Sequence, residues 1–356
     1  MQTLFTLLVA LFSAYCCLKL VIFLYVRFNW LDKPGARKNH AKPVPAAGGV
    51  AIFLTFFVTA LCVPSIRATF ADKAPVLFTT SALVMIGAVD DRFNLSSIVR
   101  LFLQIACAFV IAHFYVRIES LHGILGIGQL EVWMQYGLTI FILVGIINAY
   151  NMMDGIDGLA GAFSSVIIGV LLYLGYWLGM SNWNSILLVF LVAIAMFLKF
   201  NWRPASIFMG DSGSMPLGFL FAVISLDCLS YASTPEKAHL VLVAITGVFL
   251  VPVMDTLRLF KYRISKGRSP FSADRNHLHH WLLRNKMAHS NATIRIVILQ
   301  FCLLIAGYVA IQWMPVSWVV LIQAILVFLF TYVSKRLASF FKWYGIIRRM
   351  EMSDLR

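Results

Sequence analysis

The chain alternates long apolar runs with short polar segments. A membrane span needs about 20 mostly apolar residues. Eleven runs meet that description: roughly 3–26, 48–66, 75–90, 98–116, 133–150, 158–180, 184–200, 213–232, 239–260, 293–313 and 316–334. Such spans are helices, which satisfy every backbone polar group within the segment. The pattern therefore predicts an all-α polytopic membrane protein with about eleven transmembrane helices. Residues 1–334 form the transmembrane domain. Residues 335–356 form a basic tail that reads as an interfacial helix. No internal repeat or low-complexity tract is visible.

Composition agrees. The 356 residues are 61% hydrophobic and 12% charged, against about a quarter charged in soluble domains. A net charge of +14 would suggest nucleic-acid binding in a soluble protein. In a membrane protein it reflects basic cytoplasmic loops and an anionic partner, so no nucleic-acid partner is expected. Of the 29 Lys and Arg residues, Arg67, Lys73, Arg117 and Lys237 fall on one side and Lys19 inside the first span. The others follow the odd-numbered spans. This asymmetry predicts a periplasmic N-terminus and a cytoplasmic C-terminus. Met1 to Leu18 lacks a basic leading region and reads as a retained span rather than a signal peptide. The six cysteines show no spacing typical of disulfides or zinc.

The acids narrow the chemistry. Asp90, Asp91, Asp154, Asp157 and Asp211 all fall at cytoplasmic span ends. Topology does not demand this, because acids contribute little to it. Anions at the membrane boundary are costly unless paired or metal-bound, so they predict an active site on the cytoplasmic face. Asn148, Asn151, Asp154 and Asp157 recur every three residues and share one side if the helix continues. Such oxygen ligands suit Mg²⁺ or Mn²⁺, although a polar turn uses the same residues. The adjacent Asp90 and Asp91 persist more easily beside a shared cation; one can bind metal and one act as a base, or both can cap a solvated helix end. Near Asp211, glycines can present backbone N–H groups to a phosphate, and Phe208 can stack on a flat ring. The same loop could simply cap a span. Lys42, in a Pro- and Gly-rich loop, can hold a phosphate or carbonyl or anchor the loop to headgroups. In the long basic loop, His277, His279 and His280 suit hydrogen bonding to a pyrophosphate better than zinc, and equally suit structural roles. Lys19 and Asp227 are intramembrane charges and functional suspects by default, but nothing near either suggests a role, and helix-to-helix pairing or a shifted span boundary explains them better. Asp255 is spaced to pair with Arg258. His289 is background.

Taken together, Asp90-Asp91, Asn151-x-x-Asp154-Gly-x-Asp157-Gly, Phe208-Met-Gly-Asp211-x-Gly-Ser and His277-x-His279-His280 resemble the polyprenyl-phosphate N-acetylhexosamine-1-phosphate transferase family. The likeness covers nearly the whole chain. The run from Ser269 through Arg275 to His280 looks most like the branch that starts enterobacterial common antigen and many O-antigens. The resemblance implies a phosphoglycosyltransferase domain in the bacterial inner membrane. It would transfer GlcNAc 1-phosphate from UDP-GlcNAc to undecaprenyl phosphate, giving GlcNAc-pyrophosphoryl-undecaprenol and UMP. It implies Mg²⁺ or Mn²⁺, sensitivity to tunicamycin-type nucleosides and, by analogy, a homodimer. Residue by residue, Asn151 and Asp211 match metal ligands. Asp157, Asn201, Phe208 and Lys42 match positions that cradle uracil, and Arg275 joins the nucleotide-binding set. Asp90 and Asp91 match a pair proposed as base or nucleophile, and Asp154 belongs with them. His277, His279 and His280 match a motif that contacts pyrophosphate or sugar.

Two departures bear on substrate. The peptidoglycan branch, which transfers phospho-MurNAc-pentapeptide, has a lysine where this chain has Asn94, and three consecutive histidines where Leu278 interrupts here. Both point away from that substrate, and Arg92 or Arg100 is left to replace the lysine. Another UDP-N-acetylhexosamine is the alternative donor. A transporter would instead show inverted repeats and midplane polar residues.

Overall fold

The structure, a computed structural model, describes residues 2–32, 43–270, 276–284 and 287–354. Lys42 and Arg275 lie outside them. The described residues form helices α1 (Gln2–Arg27), α2 (Gly48–Cys62), α3 (Pro64–Ala68), α4 (Ala74–Phe93), α5 (Ser97–Phe114), α6 (Val132–Met153), α7 (Leu159–Trp177), α8 (Ser181–Asn201), α9 (Asp211–Ser230), α10 (Pro235–Ile264), α11 (Leu278–Arg284), α12 (His289–Ala310) and α13 (Val316–Asp354).

Ten of these are long and apolar enough to cross a membrane, and α2 is a shorter apolar helix. Its 15 residues reach only about 22 Å, less than a bilayer core of about 30 Å. The expected span 48–66 is broken at Val63, which is extended, and Pro64 opens α3. A proline fits the first turn of a helix but not its interior. At the other end of the chain, α13 runs unbroken through the expected tail to Asp354.

The chain is organised around α9, which is buried from Ser212 to Leu229. It is apolar on all sides, as a helix enclosed by others must be. Small residues let its neighbours approach. A Cβ on Gly49 of α2 would lie 2.1 Å from the Gly213 Cα, and one on Gly87 of α4 would lie 2.4 Å from the Asp211 carbonyl oxygen. Outward faces carry exposed Phe12, Phe102 and Phe328, which lipid would cover.

The intramembrane charges are paired. Lys19 Nζ sits 5.4 Å from the Phe200 ring centroid, joining α1 to α8. At the far end of α9, Asp227 Oδ2 accepts from Tyr115 Oη and Trp183 Nε1, both at 2.5 Å, and from Lys73 Nζ at 3.4 Å. Asp227→Ala leaves the buried Lys73 ammonium uncompensated. A loss of about 3–5 kcal/mol is expected, read as a large fall in the detergent unfolding midpoint. Asp227 lies about 24 Å along α9 from Asp211, so KM of the surviving folded protein should not change.

Candidate active site

A helix N-terminus leaves its first four N–H groups without intrahelical partners. At α9 those donors face α4. Asp91 Oδ1 accepts from the Asp211 N–H at 2.8 Å, and Asp91 Oδ2 from the Ser212 N–H at 3.0 Å. A carboxylate here also complements the helix dipole. Asp90 has a different role. It is 3% exposed; its Oδ1 accepts from the Leu95 N–H at 2.7 Å and its Oδ2 from Arg100 Nη1 at 2.6 Å. The same Nη1 reaches Asp211 Oδ2 at 3.2 Å. The two adjacent aspartates therefore divide their work: one caps α9, the other fixes Arg100 between α4 and α9. Arg100 is committed to this pair. Arg92 instead lies over the Trp30 ring, 5.7 Å from its centroid.

The expected single polar side of helix through residues 148–157 is not found. The α6 helix ends at Met153, and Asp154 leaves helical geometry at φ −73°, ψ 71°. Asn148, inside α6, faces α5 and donates to Gln104 Oε1 at 2.7 Å. Asn151 Oδ1 accepts from Ser214 Oγ of α9 at 3.1 Å. Gly158, with φ +80°, supplies the left-handed turn into α7. Its N–H donates to Asn201 Oδ1 at 2.8 Å, while Asn201 Nδ2 donates to the Ile207 carbonyl at 2.8 Å. Asn201 thus clamps two loops together. A third loop joins them: Gly48 and Gly49 donate to the carbonyls of Phe208 and Met209 at 2.8 and 2.9 Å.

These loops enclose a cavity of about 1360 Å³ at one end of the helix bundle. Asp90, Asp91, Asn151, Asp154, Asp157, Asn201, Phe208, Asp211 and His280 line it, as do Tyr25, Trp30, Arg92, Arg203 and His289. His277 and His279 stand behind its wall. His277 Nδ1 lies 3.3 Å from Asp255 Oδ2. Asp255 also accepts from the Leu278 N–H at 3.2 Å and Arg258 Nη2 at 2.6 Å. The expected Asp255–Arg258 pair forms, and Asp255 additionally caps α11. His279 is buried against Gly155, where a Cβ would lie 2.2 Å from its Nε2. Burial, then the neighbouring His280 and His277, hold its imidazole well below the usual histidine range, so it is neutral at pH 7. His289 was missed: its Nδ1 lies 3.5 Å from Asp157 Oδ2. A histidine at a span boundary was the available signal.

Asp154 donates its N–H to the Asn151 carbonyl at 3.1 Å, but its carboxyl has no hydrogen-bond or ion-pair partner among the described residues. Burial first, then the charges of Asp91 and Asp157, push its carboxyl up to about 7. An unfolded aspartate titrates near 4. The folded state therefore holds the proton more tightly, and stability falls as pH rises from about 4 to about 7. Asp154→Asn is expected to raise the unfolding midpoint at pH 8 by a few degrees, the gain shrinking as pH is lowered toward 4.

Among the described residues no three His, Cys, Asp or Glu side chains are grouped closely enough to hold a metal alone. Asn151, Asp154 and Asp211 supply oxygen donors only. That fits Mg²⁺, which takes one or two carboxylates and completes its shell with water and substrate phosphate. Asp90 and Asp211 sharing one guanidinium also leave the site rich in negative charge. The residues fit a cation that arrives with substrate, not a preformed cage.

Residues 74–229 match the family described as Glycosyl transferase family 4. The chain is 31% identical over 348 residues to the undecaprenyl-phosphate alpha-N-acetylglucosaminyl 1-phosphate transferase of Yersinia pestis, covering 92% of this chain and 91% of that protein. It is 32% identical over 320 residues to the protein of the same name from Escherichia coli, covering 86% and 84%. It is 31% identical over 288 residues to a probable undecaprenyl-phosphate N-acetylglucosaminyl 1-phosphate transferase of Bacillus subtilis, covering 80% and 78%.

Proposed function

We infer, because this chain belongs to glycosyl transferase family 4, that it transfers GlcNAc 1-phosphate from UDP-GlcNAc to undecaprenyl phosphate. The chain is a multi-pass membrane transferase, and the names of its relatives specify that donor sugar and acceptor. One observation carries the reading: Asn151 and six aspartates, Asp32 among them, line a single cavity at one end of the bundle. There a lipid-anchored phosphate and a soluble sugar nucleotide can meet. We place that end in the cytoplasm of a bacterial inner membrane, from the basic asymmetry of the loops. The product would open O-antigen or enterobacterial common antigen synthesis. Asn94 and the interrupted histidines disfavour phospho-MurNAc-pentapeptide; another UDP-N-acetylhexosamine is the second reading.

Phosphoryl transfer requires mainly positioning and charge neutralisation. An acceptor phosphate oxygen bonds to the β-phosphorus of UDP-GlcNAc, and the α–β bridging oxygen leaves with UMP. The oxygens of Asp90 and Asp91 already hold Leu95, Arg100, Asp211 and Ser212. A covalent route through Asp91 would dismantle the N-terminus of α9, and one through Asp90 would release Arg100 and the Leu95 N–H, so direct attack by the lipid phosphate is favoured. That phosphate loses its second proton near pH 6 and is mostly dianionic at pH 7. Asp154 is matched to take the remaining proton. Mg²⁺ or Mn²⁺ on Asn151 and Asp211 would supply the charge neutralisation at the leaving phosphates. Phe208 stacks on uracil, Asp157 accepts from it and Asn201 holds the wall. His280 meets the pyrophosphate from the cavity side, with His277 and His279 holding it there. Lys42 and Arg275 keep the nucleotide roles their motifs suggest.

The test follows a ³²P label in the β-phosphate of UDP-GlcNAc. Label recovered in a lipid that also carries GlcNAc supports the reading. Label that stays water-soluble overturns it. UMP exchange into UDP-GlcNAc without lipid would replace direct attack by a covalent route.

A further inference from the structure

We propose that His289 is a positioning residue that sets the direction of the Asp157 carboxylate, and through it the recognition of the nucleotide base. The proposal rests on the transferase reading above. His289 begins α12 and is 7% exposed at the cavity wall. Its Nδ1 faces two groups of one residue: Asp157 Oδ2 at 3.5 Å and the Asp157 N–H at 3.4 Å. One turn later, Thr293 Oγ1 donates to the Asp157 carbonyl at 3.3 Å. The first turns of α12 therefore hold Asp157 at its carbonyl and, through one ring nitrogen, at either its amide or its carboxylate.

Asp157 needs this support. It sits between the end of α6 at Met153 and the start of α7 at Leu159, where no intrahelical bond fixes the chain. A neighbouring clamp is the Gly158–Asn201 contact. A single ring nitrogen can offer Asp157 a proton for the carboxylate or a lone pair for the amide. Either contact anchors the same residue to α12. A carboxylate aimed at a pyrimidine accepts from N3–H, which uracil has and cytosine lacks. His289 would therefore govern uridine affinity and the choice of uracil over cytosine, while leaving the phosphoryl-transfer barrier nearly unchanged.

The experiment compares wild type, His289→Ala and His289→Asn. Steady-state rates with UDP-GlcNAc are measured alongside equilibrium binding of UMP and CMP to detergent-purified protein. Losing the His289 anchor on Asp157, a single hydrogen bond, predicts a KM for UDP-GlcNAc raised about tenfold in His289→Ala. UMP binding should weaken in parallel, the UMP-over-CMP preference should shrink, and kcat should hold within about twofold. The asparagine amide sits close to where Nδ1 sat, so His289→Asn should recover most of the KM and the preference. An unchanged KM and preference in His289→Ala, or a loss confined to kcat, would overturn the proposal. If wild type neither consumes UDP-GlcNAc nor binds UMP, the transferase reading itself falls and takes this proposal with it.

Discussion

Replacing Asp211 with alanine is expected to cut UMP release from UDP-GlcNAc by about a thousandfold or more. Asp211 opens the buried helix α9 and shares Arg100 Nη1 with Asp90. Removing its carboxylate takes an oxygen donor from the cavity and leaves Arg100 neutralising Asp90 alone. The fold should survive. The cap on α9 runs from Asp91 to backbone N–H groups that alanine retains, and Arg100 keeps its shorter contact with Asp90. The unfolding midpoint should therefore shift by only a few degrees while activity vanishes. Asp211→Asn keeps the shape and removes the charge, and should be nearly as inactive. A stable Asp211→Ala protein with near-normal turnover would remove Asp211 from the mechanism.

Gly210→Ala should have the next largest effect, through geometry and not charge. Gly210 sits at φ 73°, ψ 170°, a region that is essentially glycine-only. A Cβ there would lie 2.6 Å from Asp91 Oδ2 and 2.9 Å from the Ala46 carbonyl oxygen. Backbone strain of about 1–3 kcal/mol combines with displacement of the α9 cap. The expected result is a loss in kcat/KM of about a hundredfold, since small misplacements at a positioning site cost that much. Gly145→Ala is the control: a Cβ on Gly145 meets nothing within 4 Å, and its activity should match wild type.

The helices were legible because apolar length alone sets them. Eleven apolar stretches are there, with α2 short because Pro64 stops the span. The unbroken α13 was less visible: its basic residues look like a surface segment, yet nothing in them breaks a helix. In the site, three-residue spacing suggested one polar helix face, while Gly155 and Gly158 held the contrary signal. The structure follows the glycines, because His279 packs where a Cβ on Gly155 would stand and Gly158 has positive φ. The division between Asp90 and Asp91 could not be read locally. It depends on Arg100 and on the N-terminus of α9, which the fold brings to α4 from across the chain. Asp157 and His289 are likewise far apart in sequence, and only the packing of α12 beside the α6–α7 turn makes them partners.

The measurement that bears most directly on the central claim is UMP release by detergent-purified protein given UDP-GlcNAc. It is run with and without undecaprenyl phosphate, and with Mg²⁺ or Mn²⁺ against an excess of chelator. The account predicts UMP only when lipid and divalent cation are both present, and none from Asp211→Ala under the same conditions. Failure to release UMP from any UDP-N-acetylhexosamine, or release that ignores both the lipid and the cation, would contradict it.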